Sequence, residues 1–218
     1  MNTPTLETKR LILRRFTEAD LEALFLILKD EEVNRFLPWF PMKDIEETRA
    51  FYQTHYAAQY AKQSGYAYAI CLKSDNVPIG YIKADVEEPY DFGYGLLKAY
   101  WHQGIIREAG KAVIEQVRSD GLPFISATHD RNNVRSGRVM QALGMIYRYS
   151  YEELWQPKNK KVVFRMYQLH FTDSDDVYDG YWKRYENHFI EELDDEAQQT
   201  VKRQNDSCLL FCLKILFG

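Results

Sequence analysis

Only three cysteines, Cys71, Cys208 and Cys212, occur among the 218 residues, too few and too irregularly spaced for a disulfide framework or a four-ligand zinc site. That scarcity suits a reducing compartment, and a cytoplasmic location is expected. Met1–Arg10 lacks the basic start and apolar run of a secretory leader. No apolar stretch reaches the roughly 18 residues of a membrane-crossing helix. The closest is Cys208–Phe217, which is expected to dock on the protein or to pair two copies into a homodimer. Four of the five histidines, at positions 55, 129, 170 and 188, show no metal-ligand spacing, and no metal is expected. An excess of basic charge is also missing. Lys and Arg number 28 against 32 Asp and Glu, a net charge of −4. A broad nucleic-acid-binding surface is therefore not expected, whereas small or cationic partners fit. Neither a P-loop nor a dinucleotide glycine fingerprint is present, and no internal repeat is visible.

What the chain does hold is a run of alternating strand and helix signals. Arg10–Phe16 reads as a strand, and Thr17 followed three residues later by Asp20 reads as a helix start for Glu18–Lys29. A second helix is expected from Asp44 to Lys62, its acidic first turn suiting the positive end of the helix. Tyr66–Leu72 and Pro78–Val86 form a hairpin across Lys73–Asn76, and Asp91–Leu97 is a third strand. Apolar residues at helical spacing mark Ile105–Val117. A strand at Phe124–Thr128, a helix at Asn133–Leu143 and a hairpin of Met145–Leu154 with Val162–His170 follow. This order is α+β on a mostly antiparallel sheet. We divide the chain into a domain over residues 1–170 and a C-terminal helical extension over 171–218, with a helix at Tyr178–Leu193.

The junction Trp101–His102–Gln103–Gly104–Ile105–Ile106–Arg107 carries the chemistry. Backbone N–H groups near Gly104 lie at the positive end of a helix, a place that binds phosphate. Glycine lets the backbone approach an anion closely, and Arg107 adds charge.

Several blocks, in order, resemble the GNAT superfamily of acetyltransferases, particularly the Rim-type branch that acetylates protein N-termini. They are Glu7–Leu11, Ile79–Ile82, Asp91–Leu96, Tyr100–Gly104 running into Glu108–Ala109, Asn133–Ser136 and Leu143–Met145. The resemblance implies the GNAT fold, a central sheet that splays after Asp91–Leu96, and acetyl-CoA as cosubstrate. It assigns Gln103, Gly104, Ile105, Ile106 and Arg107 to the pyrophosphate, and the backbone of Leu96 and Leu97 to the pantetheine and acetyl carbonyl. The family more often has a small residue where this chain has Ile106, which is tolerable if only N–H groups bind.

Asn133 and Ser136 stand three apart on one helix face, where the resemblance places groups near the cofactor's sulfur; a helix cap is the plainer role for Asn133. Many relatives protonate the departing thiolate with a tyrosine seven residues after that Asn, but Met140 occupies the position. Ser136 then becomes the candidate acid or relay, with water as its competitor. Asp91, where some relatives hold a catalytic glutamate, and Glu153 are candidate bases; Glu152 and Glu153 alternate across their strand, so at most one faces the cleft. Cys71 reads as a buried structural thiol. The expected activity is N-acetyl transfer to a primary amine, a protein N-terminus or a small cationic amine, by direct attack in a ternary complex. The alternative is a CoA-binding sensor or assembly module without catalysis.

Overall fold

The computed structural model describes residues 2–193. The apolar segment Cys208–Phe217, the homodimer expectation that rests on it, Cys208 and Cys212 all lie outside the described residues.

The chain opens with β1 (Leu6–Glu7) and β2 (Leu11–Arg14). The Thr17 N–H donates to Asp20 Oδ2 at 2.8 Å, closing the expected capping pattern, and a 3-10 turn at Glu18–Asp20 leads into α1 (Leu21–Lys29). A short α2 (Glu31–Asn34), unexpected from the sequence, follows Asp30, whose carboxylate accepts from the Glu32 and Val33 N–H groups. The helix begun by Asp44 is α3 (Ile45–Tyr52); a π turn at Gln53–Ala57 joins it to α4 (Ala58–Tyr60).

Then come β3 (Tyr66–Leu72), β4 (Pro78–Ala84), β5 (Phe92–Leu96), α5 (Ile105–Ser119), β6 (Phe124–Asp130), α6 (Val134–Ala142), β7 (Ile146–Trp155) and β8 (Lys160–His170). Each matches its expected element to within a few residues. The expected helix over Tyr178–Leu193 is instead the single short α7 (Gly180–Arg184) followed by an edge strand β9 (His188–Phe189). Edge pairing overrides helical spacing there: β9 bonds to β7, and Arg165 and Ser150 both hold the Glu191 carboxylate.

Two antiparallel sheets result, in the orders β1-β2-β3-β4-β5 and β6-β8-β7-β9. They meet at one parallel bridge, Asp91 with Ser126. There the Ser126 N–H donates to the Tyr90 carbonyl at 3.2 Å and the Ser126 hydroxyl to the Pro89 carbonyl at 2.8 Å. No further β5–β6 bridge occurs among the described residues, so the sheets splay beyond it.

Alternation along the strands divides the core. Tyr68, Ile70, Ile82, Phe92 and Leu96 pack with Ile105, Ala109, Val113 and Val117 of α5. On the other face Ala67, Ala69, Cys71 and Tyr81 pack with Leu21, Leu24 and Leu28 of α1 and with Tyr52 and Tyr56. Burying each large aliphatic side chain contributes about 1.5–3 kcal/mol, so the amphipathic α5 is fixed across one face of the first sheet. Its first turn is thereby held at the open end of the splay.

Candidate active site

Gly104 precedes α5 in the left-handed conformation, φ 72°, which costs a residue with a Cβ about 1–2 kcal/mol. The first intrahelical bond is Glu108 N–H to the Gly104 carbonyl. The N–H groups of Ile105, Ile106 and Arg107 therefore precede the helical ladder, and no side chain caps them. The Ile105 and Ile106 side chains are buried, so only their backbone faces outward. This arrangement fits a pyrophosphate, with Ile106 no obstacle.

The loop is buttressed by a network centred on Glu108. Glu108 Oε1 accepts from the Thr8 hydroxyl at 2.6 Å and the Arg10 N–H at 2.9 Å, while Arg10 Nε donates to Glu108 Oε2 at 2.7 Å. Arg10 also donates to the Gln103 carbonyl at 3.0 Å. Although burial opposes its charge, the Thr8 and Arg10 donors hold the Glu108 carboxyl below its usual range. Both residues stood in the motif blocks, and their co-occurrence was the available signal. The Gln103 side chain turns back to the Ala99 carbonyl at 2.9 Å.

At the end of β5, the Leu97 N–H donates to the Ile79 carbonyl and the Asp85 N–H to the Asp91 carbonyl, both at 2.9 Å. Antiparallel alternation between these pairs turns the backbone N–H and C=O of Tyr94 and Leu96 away from β4 and into the splay. Trp101 Nε1 takes the Leu96 carbonyl at 2.8 Å. The Leu96 N–H thus faces the gap, whereas the Leu97 N–H is committed to the sheet. Such an edge fits an extended amide-bearing arm.

Across the splay, Asn133 is the cap of α6, its side chain accepting from the Ser136 N–H at 3.4 Å. Ser136 Oγ lies 2.9 Å from the Tyr94 hydroxyl, which also reaches the Ser136 carbonyl at 3.0 Å. Tyr94 was legible only as part of a motif block. Burial pushes its phenol well above the ordinary range, more than the Ser136 hydrogen bond lowers it. Met140, where many relatives have tyrosine, is buried in the α5 core.

The two carboxylates are placed differently. Asp91 sits at the closed vertex of the splay, 3.3 Å from Lys83 Nζ; burial raises its carboxyl against the pull of Lys83. Glu153 lies on the face of β7 that carries Tyr151. Phe164 is opposite both Asp130 and Tyr151, which puts Tyr151 level with the end of β6 and Glu153, opposite Val162, two residues past it, at the open end. The Tyr151 ring stacks on Tyr181 and Tyr185, with centroids 4.9 and 4.7 Å away. Burial, followed by Glu153, pushes the Tyr185 phenol up to about 12. Glu152 points outward to Lys161 at 3.0 Å. Cys71 is fully buried, and burial raises its thiol to about 11.

Two antiparallel sheets parting beside an uncapped helix N-terminus define an α+β fold with a cleft that suits an extended, phosphate-bearing cosubstrate, and comparison with known proteins identifies it. Residues 10–146 match the family described as "Acetyltransferase (GNAT) domain". The chain belongs to this family and is an acetyl-CoA-dependent acetyltransferase. It is 31% identical over 159 residues to the uncharacterized N-acetyltransferase YoaA of Bacillus subtilis (strain 168), covering 68% of this chain and 89% of that protein. A GNAT-family acetyltransferase from Bacillus anthracis has a similar fold, with TM-score 0.68 and 23% identity over 77% of this chain and 99% of that one. RimL, a ribosomal L7/L12 alpha-N-protein acetyltransferase solved with coenzyme A, has TM-score 0.68 and 20% identity, covering 77% of this chain and 98% of that one. Identities this low carry the fold alone. Among the described residues no helix is long and apolar enough to cross a membrane, and no group of three His, Cys, Asp or Glu is gathered to hold a metal.

Proposed function

We propose that the chain acetylates a primary amine, either a protein N-terminus or a small cationic amine, by direct attack in a ternary complex. The observation that carries this reading is the hydrogen bond that joins Tyr94 to Ser136 across the splay, with Glu153 on β7 just past the end of β6, at the open end.

Acetyl-CoA supplies an acetyl group activated as a thioester. The N–H groups of Ile105, Ile106 and Arg107 hold the pyrophosphate, with Gln103 and Gly104 shaping the loop. The Leu96 N–H directs the acetyl carbonyl and meets the charge that develops on its oxygen. Glu153 takes the proton that the attacking nitrogen must lose. It suits this role better than Asp91, which Lys83 engages and which stands five strand residues, about 17 Å, from Leu96. As the C–S bond breaks, the electron pair goes to sulfur; Ser136 passes its proton there while taking one from water, so the hydroxyl is restored, and the proton held by Glu153 returns to solvent. The Tyr94 O–H, already at the Ser136 carbonyl, turns to the Ser136 oxygen and stabilises it. Asn133 serves by starting α6 and fixing Ser136.

Aromatic rings and a carboxylate on the Tyr151 face suit a cationic acceptor, and RimL, a structural neighbour, is named for a protein N-terminus. Release of coenzyme A thiol with peptides, polyamines, aminoglycosides and amino acids tests the reading. Turnover on at least one primary amine is expected, and thiol release only with non-amine acceptors would overturn it.

A further inference from the structure

Beyond β8, and beyond residues 10–146 that match the family, the segment 171–193 folds back as a strap. It lays Tyr178, Tyr181, Trp182 and Tyr185 on the Tyr151 face of β7, and it is pinned at both ends. At its start the buried Gln168 side chain donates to the Asp176 carbonyl and accepts from the Tyr178 N–H, both at 3.0 Å, while the Tyr149 hydroxyl donates to the Tyr178 carbonyl at 2.8 Å. At its end Glu191 accepts from the Ser150 hydroxyl at 2.6 Å and pairs with Arg165. The strap therefore keeps a fixed place on the sheet.

That place is beside the proposed base. The Glu152 N–H donates to the Asn187 carbonyl at 2.8 Å, so the strap backbone runs along β7 next to Glu153. The Tyr181 and Tyr185 rings lie nearly parallel to Tyr151, at 20° and 10°, and Tyr151 is two residues from Glu153 on the same strand face. Burial first and Glu153 next push the Tyr185 phenol up to about 12, whereas burial and then Asp91 raise the Tyr181 phenol well above its ordinary range. Tyr185 thus neighbours Glu153 at the open end, and Tyr181 lies toward Asp91 at the vertex, so α7 runs along the splay between the two carboxylates. Tyr151 is only 3% exposed beneath these rings, but Tyr181 and Tyr185 are themselves half-buried, and part of each remains accessible to a ligand.

We propose that Tyr181 and Tyr185 select the acceptor: the carbon chain of the amine packs against their rings while its nitrogen reaches Glu153. The inference rests on Glu153 as the base under Proposed function. Ring surface gains from burying methylene groups and from a neighbouring ammonium, so an amine on an unbranched aliphatic chain is preferred to a hydroxylated one. The strap, lying outside the matched part of the family, is a place where this chain sets its own choice of acceptor.

Two measurements on the full chain test this. In the first, thiol release with putrescine and with glucosamine is followed for the wild-type protein, Tyr181→Ala, Tyr185→Ala and Tyr185→Phe. The wild type should show the lower KM for putrescine. Each alanine variant should raise that KM about three- to tenfold and narrow the gap to glucosamine, while Tyr185→Phe, which keeps the ring, should not. Acetyl-CoA affinity by calorimetry should be the same in all four. In the second, hydrogen exchange of the wild-type protein saturated with CoA should slow over residues 178–189 when putrescine is added, a readout that does not depend on any variant folding. An unaltered putrescine KM in both alanine variants, no preference for putrescine over glucosamine, weakened acetyl-CoA binding, or a strap left unprotected by the amine would each overturn the proposal. Protection of the strap without turnover on any amine would overturn the proposed function and leave the acceptor wall in place; turnover with the strap unprotected would do the reverse.

Discussion

The Tyr94 hydroxyl lies 2.9 Å from Ser136 Oγ, tying the last strand before the splay to the first turn of the helix beyond it. Tyr94 is a positioning residue: it aims the serine hydroxyl, and its raised phenol keeps its own proton. Tyr94→Phe should lower kcat about three- to tenfold with the acetyl-CoA KM unchanged, the loss expected for one hydrogen bond. Ser136→Ala should cost more, and the double variant should be no worse than Ser136→Ala alone. Steady-state kinetics of the three variants reads this, and additive losses would separate the two residues.

Glu108 sets a pH dependence. Its carboxyl is held below the usual range in the folded protein, so its contribution is fully present above the unfolded value, near pH 4.3, and is lost as pH falls through the lower folded one. Glu108→Gln should therefore reduce the melting temperature at neutral pH, and the gap to wild type should close in acid. Because Arg10 and Glu108 are partly exposed, the neutral-pH loss should be modest, about 1 kcal/mol. The acetyl-CoA KM should rise severalfold as the Gln103 carbonyl loses its brace. Thermal melts across pH check the first expectation, and kinetics the second.

Gly104→Ala forces a Cβ into the left-handed region. The nearest atom to that Cβ would be Arg10 Nη2 at 3.8 Å, so space is available and backbone strain, about 1–2 kcal/mol, is the cost. Calorimetry should show at least tenfold weaker acetyl-CoA binding together with a lower melting temperature.

Glu153→Gln should slow turnover by roughly 10²-fold near neutral pH. The deficit should shrink at high pH, where a lysine-like amine sheds its proton unaided. A kcat/KM pH profile measures this; a deficit constant across pH would assign Glu153 to binding.

How far the sequence anticipated the fold follows from how local each signal was. The amphipathic α5, the β3–β4 hairpin and the Thr17–Asp20 cap are written in spacing within a few residues, and each was legible. The glycine before α5 and the blocks around it likewise pointed to the phosphate loop. α2 was not legible because four residues give no periodicity, and it is held by distant partners: Glu32 by Lys98, and the Asn34 carbonyl by Lys158 at 3.0 Å. Tyr178, Tyr181, Trp182 and Tyr185 do have helical spacing, but stacking on Tyr151 and pairing with the edge of β7 decide the backbone there. Tyr94 was unreadable as a site residue because its importance depends on Ser136, which lies across the splay.

The central claim is acetyl transfer to a primary amine with Ser136 as the proton donor. Mass spectrometry of candidate amines incubated with acetyl-CoA and the wild-type or Ser136→Ala protein tests it most directly. The account predicts one acetyl group on the amine nitrogen for each coenzyme A released, with the rate strongly reduced in Ser136→Ala. Full-rate acetylation by Ser136→Ala, or acetyl-CoA binding with every amine left unmodified, would contradict it.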